Sequence, residues 1–266
     1  MSVTRIWWPV SDGLSAAERV LTKLRHDQTA LALTVGAPVV MVLVFGYVFG
    51  SAIAVPGGEN YRAFLVPGLF VVTAANITPS MVGMARDASR GVVDRFRSLP
   101  ISRVAVPFGQ AAATAVYGAV SLVLMALCGL AVGWRISNGT GDALTALGLL
   151  VAFQIAMTWV GMYLGLVLGR EETAAQASIL LFPVTGLSNV FVPASGMPAW
   201  LRTIADWNPV SAVAAATRQL FGNPTTPANG AWPLEHPVTA ALGWTVLLLV
   251  VFVPLCTARY ARGRAG

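Results

Sequence analysis

Long apolar runs alternate with short polar connections along the chain, and the length of the runs is the first thing to explain. Six stretches, residues 29–54, 61–85, 104–133, 143–169, 174–192 and 237–258, contain no acidic residue and no basic one except Arg62 at the edge of its run. A helix rises 1.5 Å per residue against a hydrocarbon core about 30 Å thick, so about 20 apolar residues cross it. Unsatisfied backbone groups in lipid cost about several kcal/mol each, which makes such runs helices rather than irregular chain. The expected fold is therefore all-α: a polytopic membrane protein with six transmembrane helices. Pro38, Pro67, Pro79, Pro107, Pro183 and Pro254 fall within the runs, where membrane helices tolerate them as kinks. The fifth run is the shortest and is followed by Pro193, Gly196 and Pro198.

The connections carry a second pattern. Six crossings put both ends of the chain on one side, which collects thirteen basic residues: Arg5, Arg19, Lys23, Arg25, Arg86, Arg90, Arg95, Arg97, Arg103, Arg170, Arg259, Arg262 and Arg264. The other side has four, Arg62, Arg135, Arg202 and Arg218. Basic loops stay in the cytoplasm, so both termini are expected there. Residues 15–28 place Ala16, Val20, Leu21 and Leu24 on one helical face, behind Trp7 and Trp8, which predicts an amphipathic helix lying in the membrane interface. The expected organisation is a cytoplasmic N-terminal segment over 1–28, a six-helix membrane domain over 29–258 and a basic cytoplasmic tail over 259–266.

Between the fifth and sixth runs lie about 44 residues on the outer side. One short helix is predicted over 198–207. Asn208-Pro209 then supplies an N-cap with proline at the first helical position, and a second helix over 211–221 is closed by Gly222. Such a pair lies on the surface or dips back into the membrane.

Composition sharpens this picture. The 266 residues are 56% hydrophobic and 11% charged, with mean hydropathy +0.71, whereas soluble domains carry about 25% charge. Too few charges remain to cover a water-facing particle, which excludes a soluble enzyme. Net charge is +6, but the arginines are dispersed between the runs, a topology signal rather than a nucleic-acid patch. Two histidines, His26 and His236, fall on opposite sides, and Cys128 and Cys256 both sit inside runs, so no metal site of ordinary ligand count is expected. No G-x-x-x-x-G-K-[ST] phosphate loop occurs, and no cofactor is expected on this chain. A membrane-embedded enzyme would need clustered His, Asp or Glu within the runs, and they hold none.

Two sets of residues are candidates for function. In the loop over 86–103, Val92, Val93, Phe96 and Leu99 have helical spacing, Arg90 and Asp94 form an i,i+4 pair, and Arg95 and Arg97 flank the aromatic. This is either a short amphipathic helix shaped for a groove on a soluble partner or a charged loop that simply obeys the topology rule. The second set is the uncharged polar side chains within the runs: Thr73, Asn76, Gln154, Gln176, Thr185, Ser188 and Asn189. Amides are costly to bury unpaired in lipid, so these face protein or water, lining a route or bonding between helices. The absence of intramembrane carboxylates argues against an ion-driven mechanism and suits a hydrophobic or amphipathic cargo.

Two blocks of sequence resemble a known family. Tyr61 with F-L-V-P-G-L-F after it and R-G-V-V-D-R-F-R-S-L-P-I-S-R ending at Arg103 form one block. The other runs through Phe182-Pro183, Ser188 to Pro193, Met197 to Leu201 and Asn208 to Ser211. Together they look like the permease subunit of ABC-2 type transporters, nearest to the daunorubicin-resistance-type exporters. The resemblance implies a bacterial cell-membrane permease that pairs with a second permease, as homodimer or heterodimer, and with two copies of an ABC ATP-binding subunit holding ATP and Mg. It implies that Arg90, Asp94, Arg95, Phe96, Arg97 and Leu99 belong to a coupling helix, that Glu171 and Glu172 provide a second contact with the ATPase, and that the outer helix pair is re-entrant. The cargo would be a small hydrophobic or drug-like compound. Export of a glycolipid or lipid-linked glycan is the alternative within the same family, and a membrane scaffold without an ATPase is the alternative outside it.

Overall fold

The computed structural model describes residues 36, 40, 41, 43, 44, 61–91, 105–191, 197–225 and 230–262. The expected interfacial helix over 15–28, the run over 29–54 apart from five positions, and Asp94, Arg95, Phe96, Arg97 and Leu99 lie outside them. Among the described residues the secondary structure is helical, with no strand. Ten helices follow in order: α1 (Tyr61–Ala74), α2 (Thr78–Ser89), α3 (Ala105–Ala131), α4 (Thr140–Leu168), α5 (Glu171–Ile179), α6 (Leu181–Gly186), α7 (Ala199–Asp206), α8 (Pro209–Phe221), α9 (Trp232–Glu235) and α10 (Pro237–Arg262).

Four helical stretches are long and apolar enough to cross a membrane: Tyr61–Ser89, Pro107–Ala131, Thr140–Leu168 and Pro237–Arg262. They correspond to the second, third, fourth and sixth apolar runs. The first of them is interrupted between α1 and α2. Pro79 has no N–H to bond the carbonyl one turn back, and the Asn76 side chain instead accepts the Thr78 N–H at 3.1 Å. The fifth run is not one continuous helix. Pro183 cannot donate to the Ile179 carbonyl and its ring crowds that position; α5 ends at Ile179 and α6 is a separate short helix. The described residues thus contain four of the six expected spans as long apolar helices, with the fifth run divided and the first, apart from five positions, lying outside them.

The helix pair between the fifth and sixth runs forms with the expected chemistry at its joints. Asn208 Oδ1 accepts the Val210 N–H at 2.8 Å as the N-cap of α8, Pro209 takes the first helical position, and Gly222 closes the helix at φ +68°. What the sequence pattern leaves open is where α8 goes. Small residues Ala212, Ala214, Ala215 and Ala216 are buried, and the helix packs against α1, α4 and α10 in the interior of the bundle.

Helices α2 and α4 meet through glycine. A Cβ on Gly161 would fall 2.8 Å from the Ile77 carbonyl oxygen, and one on Gly165 would overlap the Met81 carbonyl oxygen. The G-x-x-x-G spacing on α4 thus brings two backbones into contact, as small residues do where lipid supplies no hydrophobic drive for helices to associate. Gly118 on α3 plays the same part toward the Gln154 side chain of α4. Outward-facing positions are apolar: Leu242, Val246, Leu247 and Val250 on α10, and Val123 and Leu127 on α3, are each about half exposed or more. Exposed apolar flanks of this kind are what lipid or a partner covers.

Candidate functional site

Two polar clusters sit at opposite ends of the bundle. The first is built on Arg218 of α8, which is fully buried. Its Nε donates to the Phe64 carbonyl at 2.9 Å, Nη2 donates to the carbonyls of Val190 at 2.9 Å and Asn189 at 3.2 Å, and Nη1 donates to Asn189 Oδ1 at 3.4 Å. The guanidinium also lies 3.6 Å from the centre of the Phe64 ring. No carboxylate appears among these partners: a fixed fork of donors on a cation that stays protonated is matched to backbone oxygens and a π face. Pro67 removes one donor from the turn of α1 that contains Phe64, and Arg218 brings one to that turn from outside.

Neighbours complete the cluster. Tyr61, the first residue of α1, donates its hydroxyl to the Phe191 carbonyl at 2.8 Å, and the Asn189 N–H donates to Ser211 Oγ at 3.0 Å. The turn over 188–191 thus has its backbone groups held from α1 and α8 together. A Cβ on Gly68 would fall 2.8 Å from Val190 Cγ1 and 3.1 Å from Arg218 Nη2. Beside it, the C-terminus of α8 locks onto the turn between α3 and α4. Trp134 Nε1 donates to Asn223 Oδ1 at 2.8 Å, Asn223 Nδ2 donates to the Arg135 carbonyl at 3.0 Å, and the Ser137 N–H donates to the Phe221 carbonyl at 2.9 Å. Phe70, Trp134 and Phe221 stack edge to face, with centroids 5.1–5.9 Å apart. This is the Trp134 end.

The second cluster, at the other end of α2 and α4, is an exposed latch. Arg86 Nε in the last turn of α2 donates to Glu171 Oε1 at 2.9 Å, and Arg90 Nη2 stands 3.8 Å from Glu171 Oε2. Glu171 is the first residue of α5, placed there by a tight reversal: Gly169 ends α4 at φ +64°, Arg170 is extended and α5 begins. The hydrogen bond from Arg86 holds the Glu171 carboxyl below its ordinary pKa, and its position in the first turn of α5 also favours negative charge. Glu172 is exposed next to it. The latch therefore joins the root of the 86–103 loop to the turn that opens α5.

The polar residues singled out in the runs are distributed between these settings. Ser188 and Asn189 are buried in the Arg218 cluster, Ser188 Oγ donating to the Thr185 carbonyl at 2.5 Å. Thr73 Oγ1 donates to the Leu69 carbonyl at 2.9 Å and approaches Met125 Sδ at 3.4 Å. Gln154 is buried against Gly118, with no partner for its Oε1 among the described residues. Asn76 and Gln176 are exposed and Thr185 half-buried. The sequence pattern counts Arg218 only among the basic residues of one side, and a role for it was missed; the available signal was its place on a helix whose neighbouring positions, Ala212, Val213, Ala214, Ala215 and Ala216, are small or apolar. The glycine pair at 161 and 165 was legible as a spacing and went unused.

A bundle of apolar-surfaced helices, closed at one end by a buried polar cluster and latched at the other, defines an α-helical multi-pass membrane protein. Within that class, residues 14–221 match the family model described as ABC-2 type transporter. The chain is 30% identical over 258 residues, 96% of its length and 88% of the relative's, to a daunorubicin resistance ABC transporter permease protein of Streptomyces coeruleorubidus. It is 26% identical over 254 residues, 92% of its length and 87% of the relative's, to a probable doxorubicin resistance ABC transporter permease protein of Mycobacterium tuberculosis. An inner membrane transport permease of Escherichia coli is 22% identical over 228 residues, 84% of this chain and 83% of that one. The chain belongs to the ABC-2 type transporter family. Members of that family are membrane subunits, not the ATPase, and the family implies an ABC ATP-binding partner.

Proposed function

We infer that this chain is the transmembrane permease of an ATP-driven exporter moving a hydrophobic or amphipathic drug-like compound out of the cell, with ATP and Mg bound and hydrolysed on two copies of a separate subunit. It works with a second permease in a bacterial cell membrane. The Glu171 end and both termini face the cytoplasm, and the Trp134 end faces outward. The relatives named for daunorubicin and doxorubicin resistance support the cargo class. Residues 1–28 form the cytoplasmic entry segment, 29–258 the membrane domain and 259–266 the basic tail.

The observation that carries the reading is the latch. Glu171 is bonded to Arg86 and lies near Arg90, which brings the root of the 86–103 loop and the turn before α5 to one point. A docked ATPase that moves Asp94, Arg95, Phe96, Arg97 and Leu99 then displaces α5 through that point. Glu171 has an internal partner, so Glu172 is the acid free to meet the ATPase. Small-residue seams at Gly161, Gly165 and Gly118 let α2, α3 and α4 shift as packed units. The exposed or half-buried Asn76, Gln176, Thr185 and Thr73 are the polar groups best placed to meet cargo or the second permease. The α7–α8 pair closes the route from outside, α8 as its buried, re-entrant member.

Phe96→Ala in the assembled complex tests this. Export is expected to be lost while the permease still inserts and the ATPase still turns over. Unchanged export would remove the coupling role from the loop, and failure of the wild type to co-purify with any ATPase would favour a scaffold instead.

A further inference from the structure

Helix α7 is built inside out. Its exposed side carries Trp200, Thr203, Ile204 and, just past the helix end, Trp207, at the i, i+3, i+4, i+7 spacing of a single helical face. The two tryptophans and the isoleucine are exposed by 68%, 54% and 50%. The only acid of the helix, Asp206, instead points inward beside Ala205, and both are buried. A helix on a water-facing protein surface does the reverse. Asn208 fixes where this face sits: its Nδ2 donates to the Leu187 carbonyl at 3.3 Å while its Oδ1 caps α8. That ties α7 to the 187–191 turn, which Tyr61 holds at the first residue of α1. The helix therefore lies at the Trp134 end, level with the start of the apolar helices.

We propose that α7 lies in the lipid interface at the Trp134 end, with Trp200, Ile204 and Trp207 seated at the boundary between headgroups and acyl chains. The occupant of this face is lipid for two reasons. Its residues are two indoles, an isoleucine and a threonine with no charge, and tryptophan collects at the interface because its ring is apolar and its N–H wet. The face is continuous in character with the apolar flank of α10, whose entry is also marked by an exposed Trp232. The assignment holds whichever side of the membrane this end faces, and it does not depend on the cargo. It divides the pair into a helix resting on lipid and a helix, α8, buried in protein, joined by Trp207 and Asn208 alone.

Spin-label collision measurements on the full chain in phosphatidylcholine–phosphatidylglycerol vesicles test the assignment. Labels are placed singly at Trp200→Cys, Thr203→Cys and Ile204→Cys with the two native cysteines replaced, and at Leu247→Cys on α10 as a lipid reference. The Thr203→Cys chain retains both tryptophans, so it remains informative if a tryptophan replacement does not fold. Oxygen is expected to collide more often than a water-soluble nickel chelate at all three α7 positions, with a depth shallower than at Leu247. Dominant collision with the chelate would mean the face is in water and overturns the proposal. Exclusion of both would mean that protein covers it, and overturns it equally.

Discussion

Arginine does opposite work at the two ends of this bundle. At the Trp134 end, Arg218 is fully buried, has no carboxylate among its hydrogen-bond partners in the described residues and holds four oxygens and one aromatic face in a fixed arrangement. At the Glu171 end, Arg86 and Arg90 face a carboxylate in the open, with side chains 47% and 67% exposed. A buried cation that lacks one of its partners is costly, so the first arrangement tolerates a single geometry. An exposed pair is worth little and is screened by salt, so the second can be made and broken. The Trp134 end is organised to stay shut around α8, and the Glu171 end to be moved by something docked upon it.

The contrast breaks most sharply at Arg218. Arg218→Ala removes the guanidinium donors from the buried carbonyls of residues 64, 189 and 190 and leaves a cavity, and is expected to lower the stability of the solubilised protein by about 3–5 kcal/mol. Arg218→Met keeps the packed stem but no donor and should recover little of the loss. Arg218→Lys keeps the charge but not the fork, and should fall between. Thermal unfolding in detergent, followed by tryptophan fluorescence, measures all three. Equal melting temperatures for Arg218→Ala and the wild type would mean that the Trp134 end is not held by this residue.

Glycines sharpen the comparison, because α4 carries them both at a contact and in open space. A Cβ on Gly165 would press on the Met81 carbonyl and the Met84 and Ala85 backbone region, whereas one on Gly148 meets nothing within 4 Å. Alanine gains about 0.8–1 kcal/mol over glycine in a helix interior. Gly148→Ala is therefore expected to stabilise by about that amount, while Gly165→Ala should destabilise by about 1–3 kcal/mol as α2 is forced away. Both are read from melting curves of the same preparation. If the two substitutions shift stability in the same direction, the α2–α4 seam does not depend on close backbone approach.

How much of this was legible depended on how local the cause was. The caps of α8 were readable because Asn208, Pro209 and Gly222 act on backbone groups within a few residues. The four apolar helices were readable because length against bilayer thickness needs no tertiary information. The break after Ile179 was half readable: Pro183 marks the site, but whether a membrane proline kinks or ends a helix depends on what supports the freed carbonyls. Arg218 was not readable, since its partners are 28, 29 and 154 residues away, and the alternation of runs and connections offers it only as one basic residue of a side. Glu171 was readable as an acid at a turn, but its internal partner Arg86 lies 85 residues earlier in the chain.

The smallest expected effect on stability is at that residue, and it is the one that separates a structural arginine pair from a working one. Glu171→Gln keeps the size of the side chain and removes the charge that Arg86 and Arg90 face. With both partners exposed, no resolvable change in melting temperature is expected. If the latch transmits motion to α5, ATP turnover in the complex should persist while export falls, and high salt should bring wild-type export toward the variant's by screening the same pair. The pH dependence carries a definite sign. The folded-state pKa of Glu171 is depressed by its bond to Arg86, so the latch is complete above the ordinary glutamate range near about 4.3 and is lost only as pH falls through the lower folded value. Across the neutral range export should therefore show no titration from this residue. A large drop in melting temperature for Glu171→Gln, with export retained, would make the Glu171 end a structural brace like its counterpart and erase the distinction between them.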